Sequence, residues 1–177
     1  MEGHLIVAER EGIEGADEYV RAARDGVGGA YRLAGYLLGD ATEAQDAVQD
    51  ALVKAWRSWS DLRDREAFGP WFDRIVVNVC RDRMRRHRTL HMVDLDVAGE
   101  IESADVFPSE LASDEVAAAV ARLGVDHRIV IALRFWQDMT LEQVAERLDV
   151  PLGTVKSRLH YALRALRLEL GGRPDEA

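Results

Sequence analysis

Apolar residues recur along this chain at steps of three and four, the spacing that gathers them on one side of an α-helix. From Ala16 to Tyr36 the stripe is Tyr19, Val20, Ala23, Val27, Ala30, Tyr31 and Ala34, continuing to Leu38. Gly26, Gly28 and Gly29 weaken the case for one unbroken helix, since each glycine costs about 1 kcal/mol against alanine in a helix interior. Gly39-Asp40-Ala41 punctuates the pattern. A second helix is predicted from about Thr42 to Trp59, with Ala44, Ala47, Val48, Ala51, Leu52 and Ala55 facing inward. Its outer face offers Glu43, Asp46, Gln49, Asp50 and Lys54. Ser60 to Gly69 reads as a loop in which Arg65 to Phe68 could begin the next helix. A third helix starts at Pro70, packs through Ile75, Val76, Val79 and Met84, and ends in the basic run RDRMRRHR.

Met92 to Ser113 has no helical period, contains Gly99 and Pro108, and is expected to be a flexible acidic linker. Two short helices follow, Val116–Leu123 and Asp126–Gln137, divided by Gly124, with Ile129, Val130, Leu133 and either Phe135 or Trp136 as core. Thr140 and Gln143 have the spacing of a capping box, so a helix should begin at Thr140 and bury Leu141, Val144, Ala145 and Leu148. Asp149 and Pro151 break it, and Pro151 suits the first turn of a new helix. That last helix buries Leu152, Val155, Leu159, Leu163 and Leu166, and its other side shows Lys156, Ser157, His160, Tyr161 and Arg164. Two short helices joined this way describe a helix-turn-helix, whose second helix can read base edges in the DNA major groove. A helical hairpin with a solvated charged face would show the same pattern, and the pattern alone leaves both open.

The expected fold class is therefore all-α, two small helical domains joined by the linker. A chain of 177 residues, 47% hydrophobic and 31% charged, can bury the cores this requires. No apolar run approaches the roughly 20 residues needed to cross a bilayer, so membrane insertion is not expected. The N-terminus carries Glu2, Glu9 and Glu11 around a very short apolar patch, unlike a signal peptide. Cys80 is the only cysteine, which excludes an internal disulfide, fits a reducing cytoplasm, and suggests a small buried hydrophobe.

A net charge of −9 seems wrong for a polyanion binder, but it is unevenly spread. Arg81 to His91 holds five arginines against Asp82, a net of +4. Pro151 to Arg173 holds five positives against Glu169, again +4. Between them, Met92 to Glu115 has eight acids and no lysine or arginine. Two basic patches either side of an acidic stretch suit two contacts with a nucleic acid. Trp56, Trp59, Trp71 and Phe72 stand close to basic residues and could stack on unpaired bases, although at least two of them should be core.

Catalytic chemistry is thin. The five histidines lack metal-ligand spacing with one another or with Cys80, so no metal and no cofactor is expected. No glycine-rich phosphate loop follows a strand pattern. Asp94 and Asp96 read as part of a solvated acidic run. A helical hydrolase would need carboxylates or histidines on inner faces that here are Ala, Val, Leu and Ile, and no enzyme is expected.

RFWQDMTLEQVAERLDVPLGTVKSRLHYALRALR resembles region 4 of the sigma-70 family, especially the extracytoplasmic-function (ECF) sigma factors. Its GTVKSRL core after an E-x-V-A-x-x-L helix is also similar to LuxR-type regulators. The upstream stretch DATEAQDAVQDALVKAWRSWSDLRDREAFGPWFDRIVVNVCRDRMRRHR resembles region 2 of ECF sigma factors along its whole length. A LuxR-type regulator is not expected to carry that pair. The resemblance implies a region 2 domain at 14–91, a linker at 92–113 and a region 4 domain at 114–170. It implies a cytoplasmic initiation factor that binds core RNA polymerase, through the beta-prime clamp and the beta flap, and promoter DNA. An anti-sigma factor is a further partner in many such proteins.

Residue by residue, Asp46, Gln49, Asp50 and Lys54 match the polymerase-binding surface. Asp61, Leu62, Arg63 and Phe68 lie in the loop that matches the one capturing a flipped base of the minus-10 element. Trp71, Asn78, Arg81, Arg85 and Arg86 match positions toward the melting strand. Thr154, Lys156, Ser157, His160 and Tyr161 match positions facing the minus-35 element, with Arg158 and Arg164 nearer phosphates. Tyr161 stands where a basic residue is common, and Gln45 where Glu is frequent. The alternative implied by the helix-turn-helix alone is a stand-alone transcriptional regulator, which would need tight DNA binding without polymerase.

Overall fold

The computed structural model describes residues 2–93 and 114–171, with side chains at 15–87 and 115–171. Among these residues there are only helices and turns. The body of the expected linker and the GGRPDEA tail beyond Gly171 lie outside them.

Helix α1 (Glu2–Leu38) begins well before Ala16 and runs unbroken past all three glycines. Gly26 explains part of this tolerance. A Cβ there would lie 3.3 Å from Phe68 Cε1 and 3.6 Å from Phe72 Cδ1, so the missing side chain lets α1 approach an aromatic cluster. The buried stripe differs from the expected one at its edges. Val20 and Tyr31 face solvent, whereas Leu33, Tyr36 and Leu37 are buried together with Tyr19, Ala23, Ala30 and Ala34. The reason is that the C-terminal end of α1 is covered on more than one side, which widens its apolar arc.

Gly39, at φ +72°, turns the chain, and Asp40 caps the next helix by accepting from Glu43 N at 2.7 Å. Helix α2 (Ala41–Arg57) buries Ala44, Ala47, Val48, Ala51 and Ala55 as expected, with Leu52 half-buried. It stops two residues before Trp59, because that indole is drawn into the core through a 3₁₀ turn at Trp59–Asp61. A second 3₁₀ turn, Arg65–Ala67, leads into α3 (Phe68–Val93), which starts before Pro70 and keeps the proline in its first turn, where no N–H is required. Helices α1, α2 and α3 pack pairwise around Phe72, Val76, Val77 and Cys80.

The second unit comprises α4 (Asp114–Arg122), α5 (Val125–Ile131), a π-turn at Ala132–Trp136, α6 (Leu141–Leu148) and α7 (Leu152–Glu169). The helix expected to reach Gln137 thus widens after Ile131. Phe135 is left exposed, while the Trp136 ring meets Tyr36 of α1 with centroids 3.8 Å apart. Both halves of the capping box form: Thr140 Oγ1 accepts from Gln143 N, and Thr140 N donates to Gln143 Oε1. Asp149 closes α6 in the left-handed region at φ 55°, and Pro151 caps α7. Helices α5 and α6 rest on α3, so the hydrophobic core is continuous between the two units.

Candidate nucleic-acid interface

Helix α7 is anchored by Val155 and Ala162, which are fully buried. Lys156, Ser157, His160, Tyr161 and Arg164 all face solvent on the other side, so these five expected positions share one exposed surface. The rings of His160 and Tyr161 meet edge to face at 5.5 Å. Ser157 Oγ donates to the Thr154 carbonyl at 3.0 Å, leaving its lone pairs outward, and Thr154 itself is half-buried. Arg158 points elsewhere, toward Asp126 of α5 at 3.7 Å.

The segment between α2 and α3 divides sharply. Ser60, Asp61, Arg63 and Asp64 are exposed, whereas Leu62 and Phe68 are buried. Phe68 is packed among Tyr19, Trp59, Trp71 and Phe72, stacked on the last with centroids 5.3 Å apart. Leu62 and Phe68 therefore hold the loop, and the polar residues between them face outward. Of the four aromatic candidates, Trp59 and Phe72 are core, Trp71 is half-buried, and Trp56 is 46% exposed.

Between α2 and α3 lies an open groove of about 390 Å³, lined by Lys54, Arg57, Ser58, Ile75 and Asn78. The groove brings together Lys54, expected for polymerase, and Asn78, expected for the melting strand. Arg57 and Ser58 carry no motif in the sequence, and Ile75 is expected there only as a packing residue; Arg57 follows Lys54 by three residues, a helical spacing that points to it. Asn78 Oδ1 accepts from Arg81 Nη1 at 3.2 Å.

The arginine run of α3 is used in three ways. Arg83 bridges Glu43 at 2.8 Å and Asp50 at 2.6 Å, and the hydrogen bond it donates to Asp50 raises its pKa. Asp50 is thus held, while Asp46 and Gln49 are simply exposed. Arg81 and Arg85 face Asp126 at 3.3 and 3.5 Å. Burial lowers the pKa of Arg81, whose side chain is only 18% exposed, with Asp126 pulling it back up. Arg86 is exposed. Two further pairs link the units: Arg147 with Asp73, and Arg74 with Asp149 at 2.8 Å. Arg128 donates to the carbonyls of Leu37, at 2.9 Å, and of Ala121.

Residues 25–89 match sigma-70 region 2, and residues 119–168 match sigma-70 region 4. The ECF RNA polymerase sigma factor SigL of Mycobacterium tuberculosis is 36% identical over 144 residues, covering 79% of this chain and 81% of that one. This chain belongs to the ECF sigma factors. The RNA polymerase sigma-E factor of Streptomyces coelicolor is 32% identical to it over 161 residues, 91% of this chain and 89% of that one. The sigma factor RpoE of Bartonella quintana, solved in complex with the anti-sigma factor NepR, shares the fold. It superposes with a TM-score of 0.68 at 24% identity, over 86% of this chain and 96% of that one. In this ECF sigma factor, region 2 spans the end of α1 through α3, and region 4 spans α4 to α7. A region 2 beside the helix-turn-helix does not favour a stand-alone regulator. Among the described residues no helix is long and apolar enough to cross a membrane, and no group of three His, Cys, Asp or Glu could hold a metal.

Proposed function

We propose that this ECF sigma factor acts as a non-enzymatic subunit of the cytoplasmic RNA polymerase, taking core polymerase to a class of promoters and opening them. The pairing of region 2 and region 4 in one chain carries the reading, supported by the row of exposed side chains on α7. The working units are 14–91 and 114–170, joined through 92–113. Lys156, Ser157, His160 and Tyr161 read the upstream element from the major groove, while Arg164 holds phosphate. Asp46, Gln49 and Asp50 meet the beta-prime clamp, and region 4 meets the beta flap.

The loop with Asp61 and Arg63 takes a base flipped from the minus-10 element. The groove with Lys54, Arg57 and Asn78 leads the opened strand away from it. Flipping costs a few kcal/mol, so a loop that holds the base makes opening selective. Arg81 and Arg85 reach the strand only when region 4 withdraws Asp126 from them, so promoter engagement and separation of the two units belong together. An anti-sigma factor is proposed as the partner that holds the protein inactive.

The test is transcription in vitro by bacterial core polymerase on a pool of promoter fragments, with and without the protein. New transcripts are expected, and Lys156→Ala should weaken them, most where the base it faces is the preferred one. Silence there, with tight binding to duplex DNA in the absence of polymerase, would replace this reading with an autonomous regulator.

A further inference from the structure

Arg65 sits between α2 and α3, and one guanidinium there makes four contacts. Nη1 donates to the carbonyl oxygens of Trp59 and Leu62. Nε faces Glu18 Oε2 of α1 at 3.4 Å. The planar head lies over the Trp59 ring, 3.9 Å from its centroid. The two carbonyls bracket the first 3₁₀ turn, and Arg65 itself begins the second. One side chain therefore closes the segment on itself and ties it to the N-terminal helix.

The segment needs such a tie. Its own backbone bonds are few and long: Asp61 N to Ser58 O at 3.1 Å, Leu62 N to Trp59 O at 3.2 Å, and Ala67 N to Asp64 O at 3.2 Å. Hydrogen bonds in 3₁₀ turns are poorly aligned and seldom hold a long stretch. Trp59, Leu62 and Phe68 hold the segment in the core and Asp64 Oδ1 accepts from Glu66 N at 3.0 Å, which leaves Arg65 as the side chain that ties the first turn to the second and to α1. A lysine could not replace it, because a compact ammonium on a flexible stem cannot lie flat on an indole and also serve two carbonyls.

We propose that Arg65 is the positioning residue for base capture: it holds residues 59–64 in the shape that presents Asp61 and Arg63 to an unpaired base, and Glu18 fixes its orientation. The inference rests on the reading of this loop as the base-accepting one. Arg65 acts through the loop and does not itself contact DNA.

The experiment measures transcription by core polymerase with the wild-type chain, Arg65→Lys, Glu18→Gln and the double change Asp61→Ala with Arg63→Ala. The templates are a promoter and its single-base variants across the minus-10 element. Binding to core polymerase is measured alongside. Arg65→Lys is expected to reduce the ratio between the preferred base and its substitutes by about tenfold, with polymerase binding unchanged. Glu18→Gln should move the ratio the same way by less. A merely structural role would lower all promoters by one common factor and leave the ratio alone, and that outcome overturns the proposal. Should the double change shift the ratio while Arg65→Lys and Glu18→Gln do not, the proposal fails and the reading of the loop stands. Should the double change leave the ratio untouched, the reading of the loop fails and takes the proposal with it.

Discussion

Lys156 and Arg164 stand two turns apart on the same exposed surface of α7 and are assigned different work. Lys156→Ala should weaken promoter use unevenly, most where the base it faces is the preferred one, by about 1–3 kcal/mol of discrimination. Arg164→Ala should weaken all upstream sequences alike and lower the salt slope of binding by about one. Equal losses across an upstream-sequence panel for both variants would contradict that division. Asp73 offers a test of a different kind. Burial holds its carboxyl above the ordinary aspartate value, against the pull of Arg147. The folded protein therefore binds this proton more readily than the unfolded chain does. The stability it contributes is complete below the ordinary value and is lost as pH rises through the raised one. Wild-type stability relative to Asp73→Asn should fall over that window, as measured by denaturant unfolding at stepped pH; parallel curves would refute it. The density of arginines in α3 was legible in the sequence, but their partners were not. Glu43, Asp50 and Asp126 lie far from them along the chain, and only packing of α2 and α5 against α3 brings the charges together.

Local chemistry decides how well an element could be foreseen. The capping box and the break at Asp149 and Pro151 act within a few residues and appear as expected. In α7, by contrast, only Val155 of the expected apolar set is fully buried, Leu152, Leu159, Leu163 and Leu166 are half-buried against the core, and Ala162 is the second anchor. The π-turn at Ala132–Trp136 is set by Trp136 meeting Tyr36 from the other unit, which no local pattern encodes. Helix α2 ends short of Trp59 for the same reason: Trp59 leaves the helical path to enter the aromatic cluster. The glycines of α1 separate intrinsic propensity from packing. At Gly28 a Cβ meets only the end of the Arg32 side chain, at 3.7 Å. Gly28→Ala should therefore stabilise the fold by roughly 0.5–1 kcal/mol. At Gly26 the same methyl presses on the buried Phe68 ring, so Gly26→Ala should fall short of that gain or reverse it. Thermal unfolding of the two variants checks the contrast, and equal stabilisation would show that the ring yields freely.

At the scale of the whole molecule, two units in the order region 2 then region 4 were legible from the motifs alone. Their packing was not, because it rests on scattered contributions: Tyr36 with Trp136, Arg128 with the Leu37 carbonyl, Arg147 with Asp73, and Arg74 with Asp149. Each is one residue from each side, with nothing periodic to betray it. Much of the joint is ionic, and the apolar core of α1, α2 and α3 continues beneath it.

Cys80 lies in that core, fully buried on α3, with its thiol pushed up to about 12 by burial despite nearby Arg83. A thiol must be both accessible and ionised to react, and here the closed bundle denies both. Alkylation at neutral pH can then proceed only through opening of the bundle, so its rate counts how often region 2 comes apart. It is expected to be slow in the free protein and to stay slow when polymerase binds. Rapid labelling of the bound form would mean that region 2 loosens as region 4 moves. Because the chain has no second cysteine, that single thiol serves as a built-in clock, readable by mass spectrometry without any engineered probe.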